Sequence, residues 1–378
     1  MKILINALSA RRGGGQTYIQ NLLENFPKNS VDEVVILAPQ ALKLSSKSFN
    51  VIRINASEAI VENPLFRALW ELFFLPRLLK KNRSDVLFCP GGSVSGNIPK
   101  NCRVVTTFQN MLPFDLVQRK KYPLGYMRFR NWYLRKKLLK SMAKSDLVIF
   151  ISKYAKSFIE VECGLKLKHT VVIPHGIDPI FKRDLQLELL RPSWLPDSEY
   201  LLYVSILDVY KAQLEVIESY NLLKKEGKID KKLVLVGPEY KPYGDKVRQL
   251  VVNLELEKDV LIFDSVSHNE LPAIYQHASI NIFASETENC PFILLEALAS
   301  GRPLLSSNCQ PMPEFGGDAA LYFSPQSPSE LSKLITKVLN STVLTKKLSN
   351  KSIERSLLYN WEESARRTWH SINQLVDK

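Results

Sequence analysis

Short apolar runs alternate with longer amphipathic segments along the chain. In the first half the apolar runs, each expected to form a buried strand, are 2–8, 33–38, 85–90, 103–108, 146–152 and 170–176. After a break near 183–198 the alternation restarts, with apolar runs at 200–206, 232–237, 260–265, 280–285 and 303–307. Val, Ile and Leu strands separated by helices indicate parallel sheets covered on both faces. The pattern predicts two α/β domains in tandem, each a doubly wound sheet.

The domain boundaries follow from the break and from the tail. With 378 residues the chain is too long for one ordinary core, so two domains are expected. We place the first domain at 1–182 and the second at 183–355, with a linker near 180–198 rich in Asp, Pro and Leu. Residues 356–378 continue as a helical pattern. The segments between the first strands that show helical spacing are 16–26, 65–81, 126–144 and 153–162.

Composition narrows the class of protein. Hydrophobic residues make up 45% of the chain, and no window of about 20 residues is free of charge, so the sequence predicts no transmembrane helix. Its first residues, MKILINALSA, are typical of a first strand rather than a signal peptide. Five scattered cysteines without CxxC spacing argue against a metal site or a disulfide framework and favour a reducing cytoplasm.

The net charge of +13 is concentrated in the first half. Residues 1–182 carry 29 Lys and Arg against 12 Asp and Glu, whereas residues 183–378 carry 22 against 26. Such asymmetry indicates that the N-terminal half meets an anionic partner. Phosphate groups, an acidic membrane surface and nucleic acid are the candidates.

Two loops that follow predicted strands could meet phosphate. The loop RRGGGQ, residues 11–16, lies between the first strand and a helix, where glycines allow backbone N–H groups to approach a phosphate. It matches neither a GxGxxG fingerprint nor a Walker loop, and a flexible turn is the alternative. Lys211 opens a helix after the strand at 200–206, where its ammonium could meet a diphosphate as a point charge. The alternative is a solvated surface lysine.

A third stretch, SETENCPFILLEALASGRPLLSS (285–307), carries two glutamates eight residues apart. Pro291 suits a first helical turn and Gly301 a helix end, so Glu288 lies on the entering loop and Glu296 about five residues into the helix. An unpaired buried carboxylate is costly. Glu296 is therefore expected to reach a hydroxyl-bearing ligand or a cation, unless it lies on the wet face of an amphipathic helix.

The run ENCPFILLE followed by ALASGRP resembles the E-x7-E motif of the retaining, metal-independent family 4 glycosyltransferases with the GT-B fold. The resemblance covers nearly the whole chain and includes VVTTFQNMLPF (104–114), ISKYAK (151–156), VVIPHGID (171–178), LVLVGP (233–238) and PEFGGDAALYFSP (313–325). It implies two Rossmann-like domains facing across a cleft, the first on the acceptor side and the second holding a nucleotide-sugar donor. It also implies that the C-terminal helix crosses back to the N-terminal domain, with Trp361 and Trp369 packed there.

The resemblance assigns roles to residues of this sequence. Glu288 would contact the donor sugar, Glu296 the ribose hydroxyls, and Lys211 the donor diphosphate, so Glu288 and Lys211 are the expected catalytic pair. The remaining donor-side residues are Gly14, Gly15, Asn289, Cys290 and Phe292, and the expected acceptor or sugar contacts are Arg11, Arg12 and Gln109. No cofactor or metal is implied, because positioned donors would stabilise the charge that builds on the leaving diphosphate.

This sequence departs from the family pattern in three places. Ile206 stands where many members carry an arginine, Pro291 lacks the N–H that a glycine there would supply, and Gln109 stands where a histidine is common. The function that the resemblance implies is transfer of a hexose from a GDP- or UDP-sugar to a glycan, lipid-linked by expectation, in the biosynthesis of cell-surface polysaccharide or lipopolysaccharide. A catalytically silent nucleotide-binding subunit and a nucleotide-sugar epimerase are the alternatives; a tandem NAD-binding protein lacks its glycine fingerprint.

Residues 119–140, RKKYPLGYMRFRNWYLRKKLLK, interleave cations with aromatic side chains. A basic, aromatic, amphipathic helix suits an anionic membrane interface, and the alternative is a core-facing aromatic stripe with a solvated basic face. Nucleic acid is not expected as a partner, since no nucleic-acid-binding motif accompanies the charge. We therefore expect a cytoplasmic protein peripherally associated with the membrane. The expected membrane contacts are Arg128, Arg130, Trp132, Arg135 and Lys136.

Overall fold

The computed structural model describes residues 1–11, 13–26, 33–43, 51–182 and 189–376, so Arg12 and part of the expected linker, 183–188, lie outside the described residues. The chain separates into two units. Unit 1 comprises Met1–Phe114, Phe129–Gly176 and Asn360–Lys378, and unit 2 comprises Asp115–Arg128 and Ile177–Tyr359. The segment Asp115–Arg128, which the expected boundary at 182 assigns to the N-terminal domain, groups with unit 2.

Unit 1 is built on a parallel sheet. Its strands in the described residues are β1 (Lys2–Asn6), β2 (Glu33–Pro39), β3 (Val51–Ala56), β4 (Val86–Cys89), β5 (Arg103–Phe108), β6 (Leu147–Phe150) and β7 (Thr170–Val172). They lie in the order β3-β2-β1-β4-β5-β6-β7. All neighbouring pairs are parallel. Because the chain runs outward from β1 to β3 and then returns to β1 with β4, the strand order reverses between β1 and β4.

Unit 2 repeats this design. Its strands in the described residues are β8 (Tyr200–Val204), β9 (Lys232–Val236), β10 (Val260–Phe263), β11 (Ile280–Phe283), β12 (Leu304–Ser307) and β13 (Ala320–Phe323). Their order is β10-β9-β8-β11-β12-β13, and every pair is parallel. Here the strand order reverses between β8 and β11. The prediction of two α/β units on parallel sheets is confirmed.

Helices connect the strands and cover the sheets. The first seven are α1 (Gly14–Glu24), α2 (Glu58–Glu62), α3 (Pro64–Asn82), α4 (Leu116–Lys121), α5 (Tyr126–Lys144), α6 (Lys153–Ser157) and α7 (Gln213–Lys225). The next seven are α8 (Tyr243–Asn253), α9 (Leu271–His277), α10 (Phe292–Ala299), α11 (Met312–Gly316), α12 (Pro328–Leu339), α13 (Thr342–Ser356) and α14 (Trp361–Val376). A π-helical turn (Phe158–Glu162) extends α6. Within the described ranges, no helix has both the length and the apolar character that crossing a bilayer requires.

The C-terminal helix α14 belongs to unit 1 and packs on α1. Trp369 is 1% exposed, and its indole Nε1 donates to the carbonyl oxygen of Leu22 at 2.9 Å. Where the chain enters α14, a Cβ on Gly176 would lie 2.2 Å from the backbone nitrogen of Trp361, so this close approach requires glycine. His175 is buried beside the rings of Trp361 and Tyr18, and burial lowers its pKa to about 3. This histidine is a neutral packing residue of unit 1.

Candidate active site

The loops that leave β8 and β11 emerge side by side in unit 2. These strands are adjacent and parallel, with Ile280 opposite Leu201, and the strand order of the sheet reverses between them. In an open parallel sheet the two loops at such a point diverge and leave a crevice beyond the carboxyl ends of the strands, where ligands bind. Residues 205–212 form one loop and residues 284–291 the other, so the topology brings Lys211 and Glu288 to one place.

Lys211 and Glu288 form an ion pair between Nζ and Oε1. Ser285 Oγ donates to the same carboxylate oxygen at 2.7 Å. The Lys211 ammonium also lies 5.0 Å from the ring centroid of Tyr210 and 5.4 Å from that of Phe283. Because the lysine side chain is 5% exposed, it is not the solvated surface lysine that its position in the sequence also allowed. The two residues expected to carry the chemistry are thus in contact.

The backbone around Lys211 is fixed by its own hydrogen bonds. The Lys211 N–H donates to the Asp208 carbonyl at 2.9 Å, and Tyr203 Oη donates to the Lys211 carbonyl at 2.7 Å. Ala212, which precedes α7, has a left-handed conformation with φ 52° and ψ 37°. For a residue other than glycine this costs about 1 kcal/mol, which the surrounding contacts must offset. Lys211 is therefore presented on a constrained turn rather than a freely moving loop.

Glu296 is the fifth residue of α10 and is half-buried. Its Oε2 accepts a hydrogen bond of 3.2 Å from the Tyr275 hydroxyl. Burial raises the pKa of the Glu296 carboxyl to about 7; the Tyr275 hydrogen bond opposes this rise, and the charge of Asp178 adds to it. Because its pKa is about 7, this carboxyl is costly to ionise. Its ionised form is stabilised most by a ligand whose hydroxyl groups donate hydrogen bonds to it.

The residues before α10 lie at a helix N-terminus, where backbone N–H groups favour anions. Asn289 and Cys290 are buried, and Phe292, the first helical residue, is half-buried. Pro291 is the cap residue, one position earlier than the first-turn position predicted for it. At the other end Gly301 has φ 64°, the left-handed conformation expected after the helix.

A buried carboxylate that the sequence analysis did not single out lies two residues before Glu288. Glu286 has a side chain that is 3% exposed; Lys121 Nζ pairs with its Oε2, and Gln326 Nε2 donates to its Oε1. The next residue after Lys121, Tyr122, donates its hydroxyl to Asp208 Oδ1 at 3.0 Å. Residues 115–128 thus bind the loop after β11 through Lys121 and the loop after β8 through Tyr122. No sequence signal marks a contact between residues 165 positions apart.

The pKa of Asp208 depends in part on this contact with Tyr122. Burial raises its pKa, while hydrogen bonds from the Val209 N–H and the Tyr122 hydroxyl, and the charge of Lys211, lower it. Desolvation is the largest of these effects, so the carboxyl is costly to ionise and depends on its partners. Asp208 precedes Lys211 by one turn and helps to hold the lysine loop.

The expected site residues of unit 1 also follow strand ends. Gly14 and Gly15 are the first two residues of α1, after β1. Arg11 Nη1 pairs with Glu62 Oε2 at 3.3 Å, and its carbonyl accepts from the Gln16 side chain at 2.9 Å. Gln109 is half-buried immediately after β5. These residues lie at the carboxyl edge of the unit 1 sheet.

The five residues expected to meet a membrane lie on α5, and their exposure differs. Trp132 and Lys136 are exposed, and Lys136 Nζ lies 4.1 Å from the centroid of the Trp132 ring. Arg128, Arg130 and Arg135 are half-buried. Arg128 donates to the backbone carbonyls of residues 120 and 122, and the Arg135 guanidinium lies 5.9 Å from the centroid of an aromatic ring. Two of the five are therefore at the surface, and at least two others support the fold.

Within the described part of the chain, no group of three or more His, Cys, Asp or Glu residues is placed to hold a metal ion. Positive charge near Glu288 comes from Lys211, and near Glu286 from Lys121.

Comparison with known proteins identifies relatives of both halves of the chain. Residues 12–181 match the family described as Glycosyltransferase Family 4, and residues 190–355 match Glycosyl transferases group 1. The O-antigen chain mannosyltransferase B of Escherichia coli is 25% identical over 72% of this chain and 71% of its own length. RfbU of Salmonella typhimurium, an O-antigen chain mannosyltransferase, is 29% identical over 75% of this chain and 73% of its own length. The serotype-specific mannosyltransferase WbdA of E. coli is 21% identical over 74% of this chain, and the match spans 34% of WbdA.

Solved structures share the fold at low identity. HepE of Anabaena, determined in complex with UDP, is 16% identical with a TM-score of 0.71, covering 99% of this chain and all of that one. WaaG, a glycosyltransferase involved in lipopolysaccharide biosynthesis, is 14% identical with a TM-score of 0.70. The match covers 97% of this chain and 98% of WaaG. With the two parallel sheets, these likenesses confirm the predicted GT-B fold class.

Proposed function

Since the chain belongs to the family 4, group 1 glycosyltransferases, we propose that it transfers a hexose from a nucleotide-diphosphate sugar to a glycan, with retention of configuration and without a metal ion. The observation that carries this proposal is the Lys211–Glu288 pair at the point where the strand order of unit 2 reverses. The O-antigen mannosyltransferases among the relatives make mannose the first sugar to test and O-antigen or lipopolysaccharide the first glycan.

The donor would be held by complementary parts of unit 2. Glu296 would accept hydrogen bonds from two ribose hydroxyls, which accounts for a carboxyl in an apolar helix. Lys211 would neutralise the diphosphate, since an ammonium has three donors and its pairing with Glu288 does not exhaust them. Backbone groups of Asn289, Cys290 and Phe292 would bind sugar and phosphate oxygens at the start of α10. UDP in the HepE complex makes UDP-sugars a candidate beside GDP-sugars.

We propose a reaction course that uses this placement. The bond between the anomeric carbon and the diphosphate oxygen breaks, and its electron pair moves to the leaving oxygen, where Lys211 stabilises the growing charge. An acceptor hydroxyl attacks the anomeric carbon from the same face. Its proton passes to the leaving diphosphate oxygen, so no second carboxylate nucleophile is required. Glu288, held by Lys211 and Ser285, would orient the donor sugar.

We place the acceptor on unit 1 and at a membrane. Arg11 and Gln109, at the carboxyl edge of that unit's sheet, would bind the acceptor or its sugar, and Gly14 and Gly15 would bind through their backbone at the start of α1. Arg12 lies outside the described residues and remains an expected contact by its sequence alone. A lipid-linked acceptor on the cytoplasmic face would explain the excess of 17 positive charges in residues 1–182. The protein would then be peripherally associated with that surface and have no nucleic-acid partner.

A thermal-shift screen against UDP, GDP, ADP, CMP and their sugar conjugates, with and without EDTA, tests the donor site. Ligand bound to the native state raises the melting temperature. A shift with one nucleotide family that EDTA does not change supports the proposal and identifies the base. No shift with any of them argues against a donor site in this chain, which the transferase and the nucleotide-binding silent subunit both require.

A transfer assay separates the enzyme alternatives. The proposed transferase forms a glycosylated acceptor and loses this activity in Glu288→Ala. An epimerase converts the donor sugar without acceptor. A silent subunit forms no product, and Glu288→Ala then changes no turnover. Retention is read from the anomeric configuration of the product by NMR.

A further inference from the structure

Helix α3 of unit 1 carries apolar side chains both on its buried side and on its exposed side. Its inner face contributes Leu75 and Leu79, both 1% exposed or less, to the core that also contains Leu4 and Leu87. Its outer face presents large apolar side chains to solvent, at Leu65 (74% exposed), Phe66 (56%), Leu69 (55%), Leu72 (47%) and Phe73 (56%). Their spacing of three and four residues places them along one stripe. We call these five residues the α3 stripe.

The direction of the α3 stripe is fixed by contacts on the opposite side of the helix. Buried Glu71 accepts hydrogen bonds from Asn6 Nδ2 at 3.0 Å and Ser95 Oγ at 2.8 Å. A Cβ on Gly96 would lie 3.1 Å from the Leu72 carbonyl oxygen, so the loop after β4 lies tight against the helix. The helix therefore cannot rotate its exposed leucines and phenylalanines inward. Contiguous exposed apolar surface of this kind marks an interaction site rather than ordinary surface.

Positive charge borders the C-terminal end of the α3 stripe, whereas Glu62, just before the helix, is exposed at the other end. Arg77, Lys80 and Lys81 are exposed at its C-terminal end, whereas the acidic residue of the helix, Glu71, is buried. Helix α5 is a neighbour, because Lys137 Nζ lies 4.0 Å from Glu71 Oε2. The outer side of α5 adds the exposed residues Phe129, Trp132, Tyr133, Lys136 and Lys140. Apolar side chains bordered by cations and interfacial aromatic rings match the surface of an anionic bilayer.

We propose that the α3 stripe enters the headgroup region of an anionic lipid bilayer, while the cations of α3 and α5 bind the lipid phosphates. The inference rests on the membrane association put forward under the proposed function, and it assigns the apolar insertion to α3, a helix that the sequence analysis did not connect with a membrane. Glu71 bonds to Asn6, the last residue of β1, so lipid under α3 lies close to the carboxyl edge of the unit 1 sheet. A lipid-linked acceptor docked there reaches the ligand-binding edge without leaving the bilayer.

Vesicle co-sedimentation of the full chain tests the proposal. The probes are phosphatidylcholine vesicles with and without phosphatidylglycerol. The insertion variant is Leu69→Gln/Phe73→Gln, which replaces two residues that are more than half exposed by good helix formers. The matched control is Val252→Gln/Val343→Gln, two exposed apolar residues on α8 and α13 of unit 2. A charge variant, Lys80→Glu/Lys81→Glu, tests the phosphate contacts.

The wild type and the control should bind phosphatidylglycerol vesicles alike. The insertion variant should lose about tenfold or more in partition coefficient, because two large apolar side chains no longer enter the bilayer. The charge variant should lose about tenfold as well, and wild-type binding should weaken with salt. Nucleotide-induced thermal shifts should be the same in all four proteins, which shows that the variants are folded.

Three results would overturn the assignment. Equal binding by the insertion variant and the control would mean that α3 does not enter the bilayer, while leaving membrane association through α5 and the proposed transfer reaction intact. No binding by the wild type to either vesicle would remove the membrane partner, with transfer to a soluble acceptor still testable. A dimer in sedimentation velocity that the insertion variant abolishes would assign the α3 stripe to a second copy of the chain.

Discussion

The ammonium of Lys211 is paired with the carboxylate of Glu288 although 77 residues separate them, because β8 and β11 are neighbours in the sheet and each loop leaves at the same edge. The pair is largely buried, with side chains 5% and 18% exposed. Each residue keeps the other in place before a donor binds. Such preorganisation is what electrostatic stabilisation of a leaving group requires, since charges that must first be moved into position contribute less.

Replacing either member of this pair should therefore suppress transfer. We expect Lys211→Met to lower kcat by about 100-fold or more, the loss seen when one positioned donor is removed from a developing anion. Glu288→Gln should lower kcat by about 100-fold as well, because a misplaced donor sugar no longer meets the acceptor in the reactive geometry. Lys211→Met should also weaken nucleotide binding, whereas Glu288→Gln should affect mainly the sugar. Steady-state kinetics and calorimetry with the free nucleoside diphosphate separate these effects.

The control is Lys224→Met, which removes a half-exposed lysine of α7 that pairs with Asp259 at 3.1 Å. It should leave kcat unchanged. If Lys211→Met is as active as Lys224→Met, the leaving diphosphate is stabilised by another group, and the role assigned to Lys211 is wrong.

Glu296 should make nucleotide binding depend on pH near neutrality. Its pKa is raised by burial from 4.5 to about 7, so the folded protein retains a proton that the unfolded chain has already lost. Stability without ligand should consequently fall as pH rises from about 4.5 to about 7. Ribose hydroxyls that donate to the ionised carboxylate favour loss of that proton. Nucleotide affinity should then increase with pH up to about 7 and level off above it.

Calorimetry in buffers of different ionisation enthalpy measures the proton released on binding. Glu296→Gln should bind more weakly and show a flat pH profile over the same range. Tyr275→Phe removes the hydrogen bond that opposes the rise in pKa, so the inflection should move to higher pH. An unchanged inflection in both variants would show that another group titrates.

The pattern of apolar residues was sufficient to predict the strands that are buried in the middle of each sheet. It missed β3 and β13, and both lie at sheet edges. In β3 the sequence VIRINA carries Arg53 and Asn55 on a strand that is only half-buried, so it lacks the continuous apolar run of a central strand. The other two edge strands, β7 and β10, were predicted from their apolar runs, so position at a sheet edge does not by itself hide a strand.

The sequence was sufficient to predict that Lys211 and Glu288 lie on loops after strands and that Glu296 lies inside the helix that follows. The residues that hold these side chains were not predictable. Tyr275 reaches Glu296 from a separate helix, and Lys121 reaches Glu286 from the first half of the chain, so neither contact has a local sequence pattern. The Lys121 contact depends on how the segment 115–128 packs in unit 2, and the Tyr275 contact on how α9 packs beside α10, and periodicity specifies neither.

Trp369 should be the most sensitive residue of the C-terminal helix. It is 1% exposed, donates to the Leu22 carbonyl and meets the Phe26 ring edge-on at 5.0 Å. We expect Trp369→Ala to destabilise the protein by about 3–5 kcal/mol and Trp369→Phe, which loses the hydrogen bond and part of the ring, by about 1–3 kcal/mol. Trp132→Phe, at a site 43% exposed, should change stability by less than about 0.5 kcal/mol. Chemical denaturation followed by circular dichroism compares them; equal midpoints for Trp369→Ala and Trp132→Phe would contradict the packing.

The Lys121–Glu286 pair should couple the segment 115–128 energetically to the rest of unit 2. Glu286 has a side chain 3% exposed and Lys121 one 35% exposed, so Lys121→Met should cost about 1–3 kcal/mol, less than the loss of a partner from a wholly buried pair. Glu286→Gln in the same background should recover part of that loss, giving a coupling of about 1 kcal/mol or more in a double-mutant cycle. The matched cycle on the exposed pair Lys241–Asp245 (3.7 Å, 69% and 58% exposed) should give about 0.3–0.5 kcal/mol.

Because Glu286 leads directly into the loop of Glu288, Lys121→Met should also raise the KM for the donor. If the coupling energy is no larger than that of the exposed pair, Lys121 does not anchor the segment 115–128 to the loop that carries Glu286 and Glu288.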